Sequence, residues 1–460
     1  MIRRYKLLLS VLSLMLISSC SRHLTPDLEW LYAAARDHHS RPPLILIHGL
    51  LGSRLKDSSS GKEVWPGAWH QLLLSSYPDL ALPISAPASD APMLVSQLRA
   101  DDLFDASFAG DYYQRIRQIL EGPGGYVPGK AGTPPDDKRP RYYVFSYDWR
   151  QDSIVSAAAL EELILQIQSD YNNPDLQVDI IAHSLGGLVA RYYARYGSVD
   201  LLNGNDFPVT MTGADNIRRM VLLGTPNLGS VSAIMAFVEG SRPGLRLIPP
   251  ETMMTMPSVY QLFPHALNNW LVTADGDILE RDQFDALIWQ RFQIGPWDPA
   301  LAERLKDRPH SNQAAPDYLA SLQAYFAVQL ERARRFTWSL TVAQPQHPMR
   351  TILLGGDCAP TPAKLLVEEI HGESQLRLWP QHVQKPDRGI DYSKLMLEPG
   401  DGTVTKASLL GRDTMNPAAA RHRHINFRFD SDFFLCERHD SLTGNVTFQN
   451  NLLDALMRID

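Results

Sequence analysis

Leu176–Gly197 reads LQVDIIAHSLGGLVARYYARYG. An apolar, β-branched run (Val178, Ile180, Ile181) opens it, and a helical pattern (Leu188, Val189, Tyr192, Tyr193, Tyr196) closes it and stops at Gly197. Between the two lies Ala182-His183-Ser184-Leu185-Gly186. A serine on a sharp turn between a strand and a helix is the setting of a nucleophile elbow. Such a turn strains the serine backbone, so the residues two before and two after it must be small, as Ala182 and Gly186 are. The motif is A-x-S-x-G rather than the strict G-x-S-x-G, so its flanks carry the reading. The plain alternative is a Ser-Gly turn joining any buried strand to a helix.

Working outward, Arg141–Phe145 predicts a strand closed by Ser146-Tyr147-Asp148-Trp149-Arg150. Asp152 or Ser153 caps a following helix with apolar positions Val155, Ala159, Leu163, Ile164 and Ile167, ended by Asn172-Asn173-Pro174. Ile217–Leu223 is another apolar strand, ending in Gly224-Thr225-Pro226-Asn227-Leu228-Gly229. Upstream, Pro42-Pro43 introduces Leu44–Ile47, whose unbroken apolar character predicts a buried parallel strand. It ends in His48-Gly49-Leu50-Leu51-Gly52, the kind of loop that supplies an oxyanion N–H in serine hydrolases. Strand, helix, strand, elbow and helix at these lengths predict an α/β-hydrolase fold: a mostly parallel central sheet flanked by helices.

The remaining segments are less regular. Residues 53–110 carry Trp65, Trp69 and Leu72–Leu74, and read as an excursion on the sheet edge or as part of a lipid-facing cap. Asp111–Glu121 is helical, and Gly122–Pro140 is a loop. Residues 230–338 have no clear strand and predict an inserted helical cap or lid. Thr351–Leu354 resumes the sheet, a Pro-rich hairpin excursion follows, Ile425–Phe429 is expected as the last strand and Leu442–Ile459 as a closing helix.

A length of 460 residues with 44% hydrophobic content allows a large core, here one hydrolase domain over 42–460 with two insertions. A net charge of −7 with no basic stripe gives no reason to expect nucleic acid. Arg3, Arg4 and Lys6 precede an apolar run, Leu7–Ile17, and then Ser18-Ser19-Cys20. This is the layout of a signal peptide (1–19), and Ile17–Cys20 resembles a bacterial lipobox in which Cys20 is acylated. Residues 20–41 would then tether the domain to a membrane surface, with Ser21 after the cysteine pointing to the outer membrane. Cys358 and Cys436 remain, and in an oxidising compartment such a pair reads as a disulfide, two separate thiols being the alternative.

A serine hydroxyl needs a histidine base, and a carboxylate to orient that imidazole. In α/β-hydrolases the chain order is Ser, acid, His. Ser184 is therefore followed by Asp357 or Asp401 as acid. Asp401 is preferred because the Gly residues on either side suit a carboxylate held on a tight loop. His439, expected between the last strand and the last helix, is the base; His422 and His424 precede that strand, and His183 cannot turn back onto its neighbour. Leu50 N–H and Leu185 N–H are the oxyanion donors. No Cys/His cluster has metal-site spacing and no loop resembles a nucleotide cradle, so no metal and no cofactor are expected.

With these residues in hand, the chain resembles the lecithin:cholesterol acyltransferase family. The matching pieces are Ile47–Leu55 (IHGLLGSRL), Gly125–Val127, Tyr147-Asp148-Trp149-Arg150, Ala182–Gly187 and Gly400–Val404. The resemblance implies Ser184 as nucleophile, Asp401 as acid and His439 as base, and its G-D-x-T-V turn favours Asp401 over Asp357. Cys358 lies where the family places one disulfide cysteine, whereas Cys436 does not match the partner position. The implied activity is hydrolysis or O-acyl transfer on a lipid ester through an acyl-enzyme. A general esterase or triacylglycerol lipase, and a non-catalytic surface lipoprotein, are the other readings.

Overall fold

The computed structural model describes residues 25–36, 41–67, 75–84, 97–104, 112–242, 247–307, 315–413, 415 and 422–458. The expected signal segment, Cys20, Trp69 and Leu72–Leu74 lie outside the described residues. Seven strands form one sheet: β1 (Leu44–Ile47), β2 (Val127–Pro128), β3 (Arg141–Phe145), β4 (Val178–His183), β5 (Ile217–Leu223), β6 (Arg350–Gly356) and β7 (Ser431–Leu435). Their spatial order is β7-β6-β5-β4-β1-β3-β2, and every pairing is parallel. All four residues of β1 and all six of β4 are buried, because helices cover both faces of the sheet.

The chain reverses its direction of travel across the sheet at β1. It continues through β2 and β3 on one side, then crosses to β4 on the other, so the loops after β1 and β4 part at a topological switch point. The crevice at the carboxyl ends of strands is where α/β sheets bind ligands. Register makes this concrete: Ile47 of β1 pairs with Ala182 of β4, so the two following loops start side by side.

Three helices frame this centre: α1 (Tyr112–Glu121), α2 (Ser153–Asp170) and α3 (Leu185–Tyr196). Asp152 caps α2, its carboxylate accepting the Ile154 N–H at 2.8 Å. All twelve residues of α3 are buried, including Arg191 and Arg195. These arginines reach the end of a 25-residue helix, α4 (Ala315–Ser339). Arg195 donates to Ser339 O (3.0 Å) and Val342 O (2.7 Å), and Arg191 to Leu340 O (2.6 Å). Cations at a helix C-terminus satisfy carbonyls that have no intrahelical partner. Burial, with the neighbouring Arg195 charge, pushes Arg191 down to about 9.

Three sequence expectations are corrected. Gly122–Pro140 is not all loop: it holds the two-residue β2, which pairs in parallel with β3 and is too short to show a period. Ile425–Phe429 is not a strand. Its buried side chains, Ile425 and Phe427, are those of an irregular segment packed on the core, where Arg191 lies 4.3 Å above the Phe427 ring. The last strand is the half-exposed edge strand Ser431–Leu435, which lacks a continuous apolar signature because only part of it is covered. Residues 230–338 also contain a strand, Leu271–Thr273, which pairs in parallel with Leu365–Ile370. At three residues it is too short to show a periodicity. Among the described residues of 53–110, Ser53–Asp57, Glu63–Trp65 and Leu98–Leu103 form a small antiparallel sheet. A final helix, α5 (Val446–Met457), packs on α1.

Candidate active site

The elbow is built by a backbone conformation that few residues adopt. Ser184 has φ 53° and ψ −122°, a strained state costing about 1–3 kcal/mol that persists only when its surroundings hold it. Ser184 N donates to Leu223 O (2.9 Å), tying the elbow to β5. A Cβ at Gly186 would fall onto the His48 carbonyl oxygen, which is why that position must be small. Gly186→Ala is expected to destabilise the fold by about 1–3 kcal/mol through overpacking against backbone, read as a lowered urea midpoint at unchanged slope.

Asp401 and His439 meet at the ends of other elements. The Asp401 carboxylate is almost fully buried. Its Oδ1 accepts the N–H groups of Thr403 (2.9 Å) and Val404 (2.7 Å), as a short acidic side chain does in a turn. Its Oδ2 accepts from His439 Nδ1 at 2.7 Å, and His439 N donates to Asp401 O at 2.9 Å. Gly224, at φ +52°, lets this pair lie against the end of β5: a Cβ there would sit 3.0 Å from the imidazole and 3.1 Å from Asp401 Oδ2. Asp357 is elsewhere, paired with Lys406 Nζ at 2.7 Å. Cys358 and Cys436 are joined by a disulfide, so the loop carrying His439 is tied to the end of β6.

Electrostatics follow from this pairing. Burial disfavours the His439 imidazolium, but the charge and hydrogen bond of Asp401, with the Asp440 charge, more than offset it and hold the pKa above the ordinary value. Burial likewise raises Asp401, yet the His439 charge and the three hydrogen bonds keep it below the usual carboxylate range. His183 is held well below 6.5 by burial and by the nearby His439 and His48.

The loop after β1 is held through its backbone, and the Y-D-W-R motif explains how. Tyr147 stacks on His48 (centroids 4.2 Å apart, 9° between planes) and donates its hydroxyl to His48 O at 2.9 Å. Ser53 Oγ donates to Tyr147 O at 2.9 Å, and Trp149 Nε1 to Ser53 O at 3.2 Å. Asp148 and Arg150 form a two-pronged ion pair, with bonds of 2.8 and 2.7 Å. His48 Nδ1 donates to Gly49 O (2.8 Å), Gly52 N to Gly49 O (3.1 Å) and Trp65 Nε1 to Leu51 O (3.0 Å). The Leu50 and Leu51 N–H groups have no acceptor among the described residues. Leu185 N–H is the first of α3 and has no intrahelical acceptor.

Ser184, His439, Leu50 and Leu51 line one cavity of about 660 Å³, with Trp65, Phe104, Met253, Val259 and Leu262 on its apolar walls. Its size and lining suit a long acyl chain. His48 and Tyr147 belong to the two motifs legible in the sequence, but their stacking on each other is not, and Tyr113 carries no motif of its own. Among the described residues, no group of three His, Cys, Asp or Glu side chains is placed to hold a metal ion, and no helix is long and apolar enough to cross a membrane.

No curated protein sequence matches the chain. Among solved structures, the Tle4–Tli4 complex has a chain that is 13% identical with a TM-score of 0.56, covering 91% of this chain and 98% of that one. This likeness shows a shared fold. Lipase BlEst2 from Bacillus licheniformis in its mature form (12% identity, 91% and 93% coverage, TM-score 0.33) and lipase 1 from Pelosinus fermentans (11%, 91% and 99%, 0.36) are more distant in shape. The profile of the lecithin:cholesterol acyltransferase family matches residues 138–409, more than half of the chain, and this span holds the elbow, Asp148–Arg150 and Asp401. The chain therefore belongs to the lecithin:cholesterol acyltransferase family, as an enzyme of lipid-ester hydrolysis or acyl transfer.

Proposed function

We propose that this protein is a serine-dependent acyl hydrolase or O-acyltransferase that forms an acyl-enzyme from a phospholipid or related lipid ester. The observation that carries the reading is the juxtaposition, at one apolar cavity, of a serine strained at φ 53° and an imidazole paired with a buried carboxylate. In this mechanism the Ser184 Oγ attacks the ester carbonyl carbon while His439 Nε2 takes its proton. Asp401 stays ionised and stabilises the imidazolium. The oxyanion accepts from the Leu50 and Leu185 N–H groups, each worth about 2.7–4 kcal/mol to the transition state. Collapse breaks the ester C–O bond, the imidazolium returns its proton to the leaving alcohol, and the acyl group remains on Ser184. Water or a second alcohol, deprotonated by His439, then releases it.

The test is product analysis with acyl-labelled phospholipid vesicles containing a long-chain alcohol. Ser184-dependent label in free fatty acid, in an alcohol ester or in both is expected, and their ratio reports the acceptor. Undiminished label transfer by Ser184→Ala would sink the reading.

We also infer export and attachment to the outer membrane through Cys20, supported by the charged and apolar N-terminal pattern ending in Ile17–Cys20. In bacterial cells, labelled fatty acid should enter the wild-type protein and not Cys20→Ser. Equal labelling of both would refute the anchor.

A further inference from the structure

A tyrosine outside the proposed triad joins the two loops that must cooperate. Tyr113, on α1, is buried, and its hydroxyl accepts the Gly49 N–H at 2.8 Å. The same oxygen is 2.8 Å from Nδ1 of His183, the residue before Ser184. Burial keeps His183 neutral, and in the tautomer protonated on Nε2 its Nδ1 accepts from the Tyr113 hydroxyl, whose oxygen already accepts from Gly49 N. The His183 ring in turn lies between its neighbours, with centroids 4.3 Å from Tyr112 and 4.8 Å from His439.

The geometry of a peptide gives this contact its consequence. A trans peptide is planar, so the Leu50 N–H points opposite to the Gly49 carbonyl of the same unit. His48 Nδ1 and Gly52 N hold that carbonyl, which sets the direction of the Leu50 N–H. The preceding peptide is held by Tyr113 through Gly49 N. Glycine rotates about its backbone more freely than any other residue, so both flanking peptides must be gripped for the Leu50 N–H to keep its aim.

We propose, resting on the acyl-enzyme reading above, that Tyr113 is a positioning residue for acyl transfer: its hydroxyl, bonded to Gly49 N–H and to His183 Nδ1, fixes the oxyanion loop against the serine elbow. It acts through Leu50 and Ser184 rather than on the substrate's reacting atoms. Oxyanion donors matter most in the transition state, so their misalignment lowers turnover more than substrate binding.

The experiment uses the full chain with Tyr113→Phe, which keeps the ring and removes the oxygen. Active sites are counted by fluorophosphonate titration, and kcat and KM are measured per titrated site on a soluble ester. We expect kcat to fall about tenfold to a hundredfold. KM should stay within about threefold, and affinity for an alkyl boronic acid, which forms a tetrahedral adduct on serine, should fall in step with kcat/KM. The pH midpoint of kcat/KM should not move. A kcat per titrated site within twofold of wild type, or a loss seen only as fewer titratable sites, overturns the proposal. Should Tyr113→Phe not fold, His183→Asn, which retains an acceptor near the place of Nδ1, is compared with His183→Leu, which has none. Higher kcat in the Asn variant supports the bond, and equal losses overturn it. If wild type fails to react with fluorophosphonate and Ser184→Ala keeps full activity, the acyl-enzyme reading has failed instead.

Discussion

Ser184→Ala is expected to lower kcat for ester cleavage by about 10⁴- to 10⁶-fold while leaving the fold intact. In serine hydrolases, loss of the nucleophile removes nearly all of the advantage over water except that of the oxyanion donors and binding. The substitution removes one oxygen and keeps a Cβ, so the packing around the elbow, including the Ser184 N bond to Leu223 O, does not change. The φ of 53° is no harder on alanine than on serine. Unfolding free energies from urea titration should therefore stay within about 1 kcal/mol of wild type, since small substitutions that leave no cavity or orphaned bond have small effects. Activity assayed with a chromogenic ester, alongside the unfolding curve, separates chemistry from stability. A variant that unfolds early would place the effect in the scaffold.

Asp401→Asn should be nearly as severe in rate and should also change the pH profile. Loss of the carboxylate removes the group that orients His439 through Nδ1, and the comparable change in serine proteases lowers kcat by about 10⁴. The sign of the pH effect follows from the causes of the His439 shift. In the proposed mechanism the free enzyme needs His439 neutral to accept the serine proton. In wild type Asp401 holds its pKa above 6.5, so kcat/KM rises with pH through a midpoint above that value. Without Asp401, burial is the larger remaining influence and favours the neutral ring. The acid limb of the residual activity should then move to lower pH as the plateau falls. Asp357→Asn is the control: its carboxylate faces Lys406, and kcat should remain within about threefold of wild type. A rate loss as deep in Asp357→Asn as in Asp401→Asn would reverse the assignment of the acid.

The parts of this protein that the sequence alone determined are those encoded locally. Val178–His183, the elbow and Leu185–Tyr196 are contiguous, and a buried parallel strand followed by an apolar helix leaves a pattern that needs no distant partner. The same holds for Leu44–Ile47, Arg141–Phe145 and Ile217–Leu223, and hence for the α/β architecture. Gly186 was readable as a small residue, but that the His48 carbonyl is what it must avoid came only from the packing of β1 beside β4.

Tertiary structure decided everything that depends on contacts far apart along the chain. The edge strand Ser431–Leu435 is half exposed and opens on the polar Ser431 and Asp432, so the buried but irregular Ile425–Phe429 masqueraded as the strand. Sequence ranked Asp401 above Asp357 from a turn motif, but the contact with His439 arises because the ends of β5, β6 and β7 bring residues 38 positions apart to 2.7 Å. Tyr113 gave no signal at all. It lies within the expected helix Asp111–Glu121, but its hydroxyl meets Gly49 and His183 across 64 and 70 positions of chain. A hydrogen bond of that span depends on how α1 docks on the sheet, and periodicity carries no record of docking.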